Sequence, residues 1–393
     1  MRAEIRQADH ISLHFLGPEA VLFDAARQCL YSSNTTATFI WCCLEEGMSP
    51  SAIAGTMAER FGMEPTAART AIAQALRQWH ALKLVGPAAP AVGAVSAAIS
   101  NKTHAPRRTA VHAPDVRHYR LMDLSIALRC PPPYARIVEP TLETLSAASS
   151  GAGDVLIEII PSSGLRCEIK FDGAEVEYCD GPEQIVPTLK ALLVGLVLRE
   201  SRDLAAFHAA GLARSGQCLL LPGASGRGKS TLATALATAG FALMSDDTMI
   251  LSDGPAPAMR TMPFGACLKT GAWSVFADRI PQIMNLPVHT RIDGVRVRYL
   301  LPPRLSLFRD PDRHLPAAWI VFPHYVEGSP LRMREISRTE ALRRLMEGCC
   351  PLGNQFDSSK VERLVTWIAG IECRELRYGD LDEAVAQIHL LCA

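Results

Sequence analysis

The chain has 393 residues, 48% hydrophobic and 20% charged, the balance of a globular protein long enough for two or three domains. Forty Lys plus Arg against forty Asp plus Glu exclude a global pull toward DNA, RNA or an anionic membrane, so no nucleic-acid partner is expected. The charged N-terminus MRAEIRQADHISLHF is unlike a secretory signal, no apolar run is long enough to span a bilayer, and the twelve cysteines form no C-x-x-C pair; a cytoplasmic protein with reduced thiols is expected.

In chain order, ISLHF, AVLFD and QCLYSS are short, partly alternating runs that predict three small strands. Asn34 predicts the cap of a helix through TATFIWCCLEEG, stopped at Gly47. Ser49-Pro50 opens a second helix, SAIAGTMAERFG. Glu64-Pro65 opens a third, whose apolar residues Ala68, Ile72, Leu76 and Trp79 recur at helical spacing. Together these make a winged-helix-like module over residues 1–85, with Trp41 and Trp79 in its core. Its third helix offers only Arg69, Arg77 and Lys83 to a nucleic acid, too thin a set for strong phosphate attraction.

Residues 86–116 are rich in Ala, Pro, Gly and Ser and lack Phe, Trp and Tyr, which predicts a flexible linker. Residues 117–393 are globular again. RLMDLSIALRC, DVLIEIIP, LRCEIKFDG and AEVEYCD predict strands, and GPEQIVPTLKALLVGLVLRES a helix. Strands and helices then alternate to the end, which predicts an α/β layer with a mixed, largely parallel sheet, α+β overall.

Gly223-Ala224-Ser225-Gly226-Arg227-Gly228-Lys229-Ser230 fits G-x-x-x-x-G-K-[ST] and is followed by Thr231. Glycines let the backbone turn and aim successive N–H groups at phosphate oxygens, and a following helix adds its positive end. Lys229 can reach the outer phosphates of ATP, and the Ser230 hydroxyl can ligate Mg²⁺. An apolar strand over 217–221 precedes the loop, and a helix over 229–239 is expected after it.

The next strand, FALM, delivers Asp246 and Asp247 where ligands collect in α/β sheets. Two carboxylates permit a division of labour: one steadies the metal, the other accepts a proton from an incoming hydroxyl. The alternative is that the second aspartate caps a turn. His208, in FHAAGLARSGQ, lies on a strand that can return beside the loop, although a lone histidine is more often a core residue.

His-Ala-Ala-Gly, G-x-S-G-x-G-K-S and the aspartate pair resemble the HPr serine kinase family, a P-loop fold related to phosphoenolpyruvate carboxykinase. The gaps agree: Gly223 follows His208 by fifteen positions, and Asp246 follows Ser230 by sixteen. MPFGACLKTGAW, VRYLLPP, WIVFPHY and ELRYGDLDEAV look like the HPr-kinase-related branch found in peptide-modification clusters. The resemblance implies that Lys229 and the loop amides hold ATP, that Ser230 and Asp246 organise Mg²⁺, and that Asp247 is the proton acceptor, tuned by His208. It departs from the family after Pro263-Phe264, where Gly265-Ala266 replace an expected arginine; Lys269, Arg260, Arg291, Arg296 and Arg298 remain to supply charge. No acidic residue stands in 261–277, which argues against HPr itself as substrate.

LFDAARQCLYSSNTTATFIWCCLEEGMSPSAIAGTMAERFG resembles the PqqD family, the RiPP recognition element. That resemblance implies leader-peptide binding by strand addition at an edge near Cys29, Leu30, Tyr31 and Ser32, with Ala73, Arg77 and His80 of the third helix as the wall. The combined expectation is a peptide kinase acting on a ribosomally made precursor, with other peptide-modification enzymes or a homo-oligomer as further partners. A leader-binding adaptor with a nucleotide-responsive loop and a small-molecule kinase are the alternatives.

Overall fold

The computed structural model describes residues 5–87, 116–147, 155–164, 166–171, 175–224, 226–352 and 355–393. Nearly all of the expected linker lies outside the described residues; Val85–Pro87, at its N-terminal end, is a strand paired with Ile5–Gln7. The described helices are α1 (Thr35–Glu45), α2 (Pro50–Phe61), α3 (Pro65–Ala81), α4 (Pro132–Leu142), α5 (Ile185–Glu200), α6 (Lys229–Thr238), α7 (Thr270–Phe276), α8 (Arg338–Met346), α9 (Ser358–Ala369) and α10 (Leu381–Leu391). None is long and apolar enough to cross a membrane.

The chain divides into two compact units. The first holds the antiparallel sheet Ile11–Leu16, Glu19–Asp24 and Cys29–Ser33, with α1 to α3 against one face. Asn34 and Ser49 cap α1 and α2 through their side-chain oxygens, which satisfies first-turn N–H groups. Trp41 and Trp79 meet edge to face in the core, ring centroids 5.1 Å apart. Asp24 is fully buried and closes the turn after its strand. It accepts from the backbone of Ala26 and Arg27, at 3.0 Å each, and from the Arg27 guanidinium at 2.9 Å.

This unit is not continuous in sequence. It also takes Ser337–Glu347 and Gln355–Gly370, hence α8 and α9, which the linear reading places in the third region. Side chains alternate between the faces of a strand. Leu13, Leu22 and Tyr31 pack toward α1 to α3, so Val21, Phe23 and Leu30 face the other way. There α8 packs on the second and third strands and α9 on the first. Thr339 donates to Glu19, and the Gln28 side chain bonds both backbone groups of Phe356. Both faces of the small sheet are therefore covered.

The second unit carries a mixed central sheet. Its order is Met259–Arg260, Thr248–Leu251, Ala205–Arg214, Gln217–Pro222, Ala317–Tyr325, Glu372–Tyr378, Arg332–Glu335. Parallel pairing is limited to Gln217–Pro222, Ala317–Tyr325 and Glu372–Tyr378; the other named pairings are antiparallel, less parallel than the alternation predicts. The reason is local. Ser215-Gly216, both at positive φ, make a two-residue turn that forces the strands on either side into a hairpin. α6 and α10 pack on each other over a core that includes Leu219, Leu221, Leu236 and Ile388. A second, six-stranded sheet carries α4 and α5. α4 falls in a segment for which the sequence predicts no element; Pro131, Pro132 and Pro133 precede or open it, and Pro140 lies inside it. The first three sit at its start, where proline is tolerated.

Candidate functional site

The hairpin brings His208 back beside the glycine-rich loop, and Gln217–Pro222 runs straight into that loop. Gly228 has φ +88°, and an added β-carbon there would stand 2.6 Å from the Tyr378 hydroxyl and 3.1 Å from Tyr325 Cβ. Only glycine fits this passage. Lys229 opens α6 and is 6% exposed. Its ammonium donates to the carbonyl of Gly223, to that of Ala224 at 3.3 Å, and reaches His208 Nε2 at 3.0 Å. Burial pulls Lys229 below the ordinary lysine range; Asp247 opposes that pull and Lys269 adds to it. A buried ammonium held by neutral carbonyls is a ready partner for an anion.

His208 bridges this lysine to Asp247. Its Nδ1 stands 3.3 Å from Asp247 Oδ1. The Nδ1–H tautomer satisfies both contacts, donating to the carboxylate and accepting from the ammonium. Asp247 is 58% exposed, open to an incoming group. Lys229, His208 and Asp247, the three residues assigned catalytic roles, are therefore one connected set.

Asp246 is placed differently from its neighbour. Its side chain is 3% exposed and both oxygens are engaged. Oδ1 lies 2.8 Å from Lys190 Nζ, and Oδ2 accepts the Cys267 N–H at 2.8 Å. The carboxylate expected beside magnesium thus has two protein partners in this structure. Lys190 was missed in the sequence. Its signal was a single charge inside the apolar run IVPTLKALLVGLVL.

Ser230 and Thr231 stand in the first turn of α6. The hydroxyl of Ser230 and the open carboxylate of Asp247 are hard oxygen donors of the type Mg²⁺ takes, so the side chains around the loop fit that ion. Arg227 reaches His324 with its guanidinium, and its carbonyl accepts the Tyr325 N–H at 3.3 Å, which ties the loop to the Ala317–Tyr325 strand. Ser225 lies outside the described residues.

Two arginines kept in reserve for substrate charge are committed elsewhere. Arg260 is buried between Asp123, at 2.6 and 2.8 Å, and Asp203, at 2.9 Å. Arg298 is buried 4.1 Å from the Trp273 ring centroid and donates to the Ile283 carbonyl at 2.9 Å. Arg291 pairs with Asp293 at 2.9 Å.

In the first unit, Cys29, Leu30, Tyr31 and Ser32 form an outer strand that pairs on one side with Glu19–Asp24. Ser32 is exposed, but Leu30 is 6% exposed on the face that α8 covers, so it offers a peptide only its backbone. Ala73, Arg77 and His80 are exposed along α3, while Ile72 and Trp79 turn inward.

A sheet of three strands with three helices makes the N-terminal part a winged-helix-like module. More particularly, residues 19–85 match the family model described as coenzyme PQQ synthesis protein D (PqqD). Among solved structures, TbiB1 in complex with the TbiA(beta) leader peptide is 19% identical, covers 22% of this chain and 99% of that one, and has a TM-score of 0.20. A lasso peptide synthetase B1 complexed with the leader peptide is 27% identical over 22% of this chain and 100% of that one, at a TM-score of 0.21. The HPr(Ser) kinase/phosphatase from Coxiella burnetii is 14% identical over 47% of this chain and 96% of that one, at a TM-score of 0.23. No curated protein matches.

Proposed function

We propose that the chain is an ATP-dependent kinase for a ribosomally made precursor peptide, whose leader is captured by the PqqD-type module. The acceptor is a serine, threonine or other nucleophile of the precursor, in biosynthesis of lasso-type or related peptides. The observation that carries this reading is the chain of contacts Lys229–His208–Asp247, at 3.0 and 3.3 Å, beside the glycine-rich loop.

Each residue has a part in the transfer. Lys229 and the loop amides hold the triphosphate, and the ammonium offsets charge on the transferred group. Ser230 would help to hold Mg²⁺, which would supply charge neutralisation when bound. Asp247 accepts the proton of the attacking hydroxyl as the new P–O bond forms and the bond to the β-phosphate oxygen breaks. His208 orients Asp247 through Nδ1–H. The PqqD-type module contributes leader affinity by strand addition along Cys29–Ser33. Because it is on the same chain as the loop, a bound leader raises the local concentration of its own core.

Purified protein, labelled ATP with Mg²⁺ and a precursor peptide encoded beside the gene test this. The expected product is a labelled peptide, lost when the leader is removed. An unlabelled peptide, under conditions where the complex is seen to form, overturns it.

A further inference from the structure

Resting on the reading of the loop as a nucleotide site, we propose that Lys190 is a positioning residue whose ammonium permanently fills the cation place beside Asp246, leaving Asp247 and Ser230 as the side chains open to magnesium. The argument begins with α5. This helix packs Leu189, Leu193, Leu196 and Val197 into the core of the second unit. Lys190 points its charge from the same helix into a closed setting: its side chain is 14% exposed. The ammonium lies 5.6 Å from the Phe264 ring centroid and 5.7 Å from that of Tyr299, with Asp246 Oδ1 at 2.8 Å. Ring faces and a carboxylate together form a cation site.

The other oxygen of Asp246 is held by the Cys267 amide. A carboxylate fixed at both oxygens cannot turn toward an incoming ion without leaving a buried ammonium unpaired. Asp247 follows it directly in the chain yet is 58% exposed and contacts His208. The two adjacent carboxylates therefore have different jobs. Asp246 and Lys190 neutralise each other and anchor the turn between Ala242–Ser245 and Thr248–Leu251, which aims Asp247.

Metal counting tests this without any phosphoryl transfer. Mn²⁺ binding is measured by the loss of its free-ion resonance, with and without a non-hydrolysable ATP analogue. Lys190→Met is expected to gain a nucleotide-independent Mn²⁺ site at the vacated carboxylate, and Lys190→Met/Asp246→Asn to lose that gain. The double variant removes both charges, so it leaves no buried ion unpaired and is expected to fold where the single one does not. It is expected to keep the wild-type affinity for Mn²⁺ with the analogue, whereas Asp247→Asn weakens it by at least about tenfold. The proposal is overturned if folded Lys190→Met gains no Mn²⁺, or if the double variant weakens Mn²⁺ binding as much as Asp247→Asn does. A failed peptide kinase assay would leave these counts untouched.

Discussion

The backbone N–H of His208 donates to the carbonyl of Gly348 at 2.8 Å, and a β-carbon added to Gly348 would stand 3.2 Å from His208 Cβ. Gly348 leads into the strand Cys349–Pro351, which pairs with the His208 strand. Both atoms in the crowded contact belong to fixed backbone positions, so neither relieves it by a rotamer change. Gly348→Ala is expected to displace the imidazole from Asp247 and Lys229. Turnover should fall several-fold, because a catalytic group shifted even by a few tenths of an ångström loses alignment, while circular dichroism stays unchanged. Unaltered turnover would show that His208 need not be held at this distance.

Asp247 and Lys229 should separate cleanly in kinetics. Asp247→Asn removes the proton acceptor and is expected to lower single-turnover transfer by about 10²- to 10⁴-fold. Lys229→Met should cost at least as much, and should also weaken nucleotide binding in a fluorescence titration. Equal loss of metal-free nucleotide affinity in both variants would argue against the division of roles.

Gly228→Ala meets three obstacles, the left-handed backbone, the Tyr378 hydroxyl at 2.6 Å and Tyr325 Cβ at 3.1 Å. Nucleotide binding is expected to be lost. Adding Tyr378→Phe removes the hydroxyl clash but leaves the close Tyr325 Cβ and about 1–2 kcal/mol of backbone strain. The double variant should therefore recover only part of the affinity by calorimetry; full recovery would assign the defect to the hydroxyl alone.

The sheet of the first unit is covered on its second face by α8 and α9, more than three hundred residues after its first strand begins. A fragment of residues 1–87 would expose Val21, Phe23 and Leu30, each worth about 1.5–3 kcal/mol when buried. Such a fragment is expected to bind a hydrophobic dye and melt without a sharp transition. Adding α8 and α9 through a short linker should restore a cooperative melt. A compact, cooperatively melting fragment would show that those helices are dispensable.

His14 makes the first unit sensitive to acid. Its Nε2 contacts Ser12 at 2.9 Å and Ser358 at 3.4 Å, and burial lowers its pKa from 6.5 against an opposing pull from Glu362. Below pH 6.5 the unfolded chain takes up a proton that the folded chain refuses, so stability falls until the lowered folded value is passed. Thermal melts at pH 7.5 and 5.5 should differ more for wild type than for His14→Gln. An equal difference in both would exclude His14 as the source.

Much of the structure was legible because its causes are local. Asn34 and Ser49 announce helix starts through bonds that span three residues. The loop from Gly223 to Ser230 is readable as a motif because its glycines, its lysine and its helix are contiguous. The return of His208 beside that loop followed from the short Ser215-Gly216 turn. Elsewhere local signals misled. The alternation of elements overstated the parallel pairing. The Arg260 and Arg298 side chains looked available because Asp123, Asp203 and Trp273 are far from them in sequence.

The sequence by itself determined the winged module, the phosphate-type loop and the presence of two adjacent acids near it, since propensity, capping and motif spacing act over a few residues. Only the tertiary structure decided which acid is free. Lys190 and the Cys267 amide, 56 and 21 positions from Asp246, converge on that carboxylate and leave Asp247 to the histidine. It likewise decided that two late helices complete an early sheet, because burial of apolar surface is indifferent to distance along the chain.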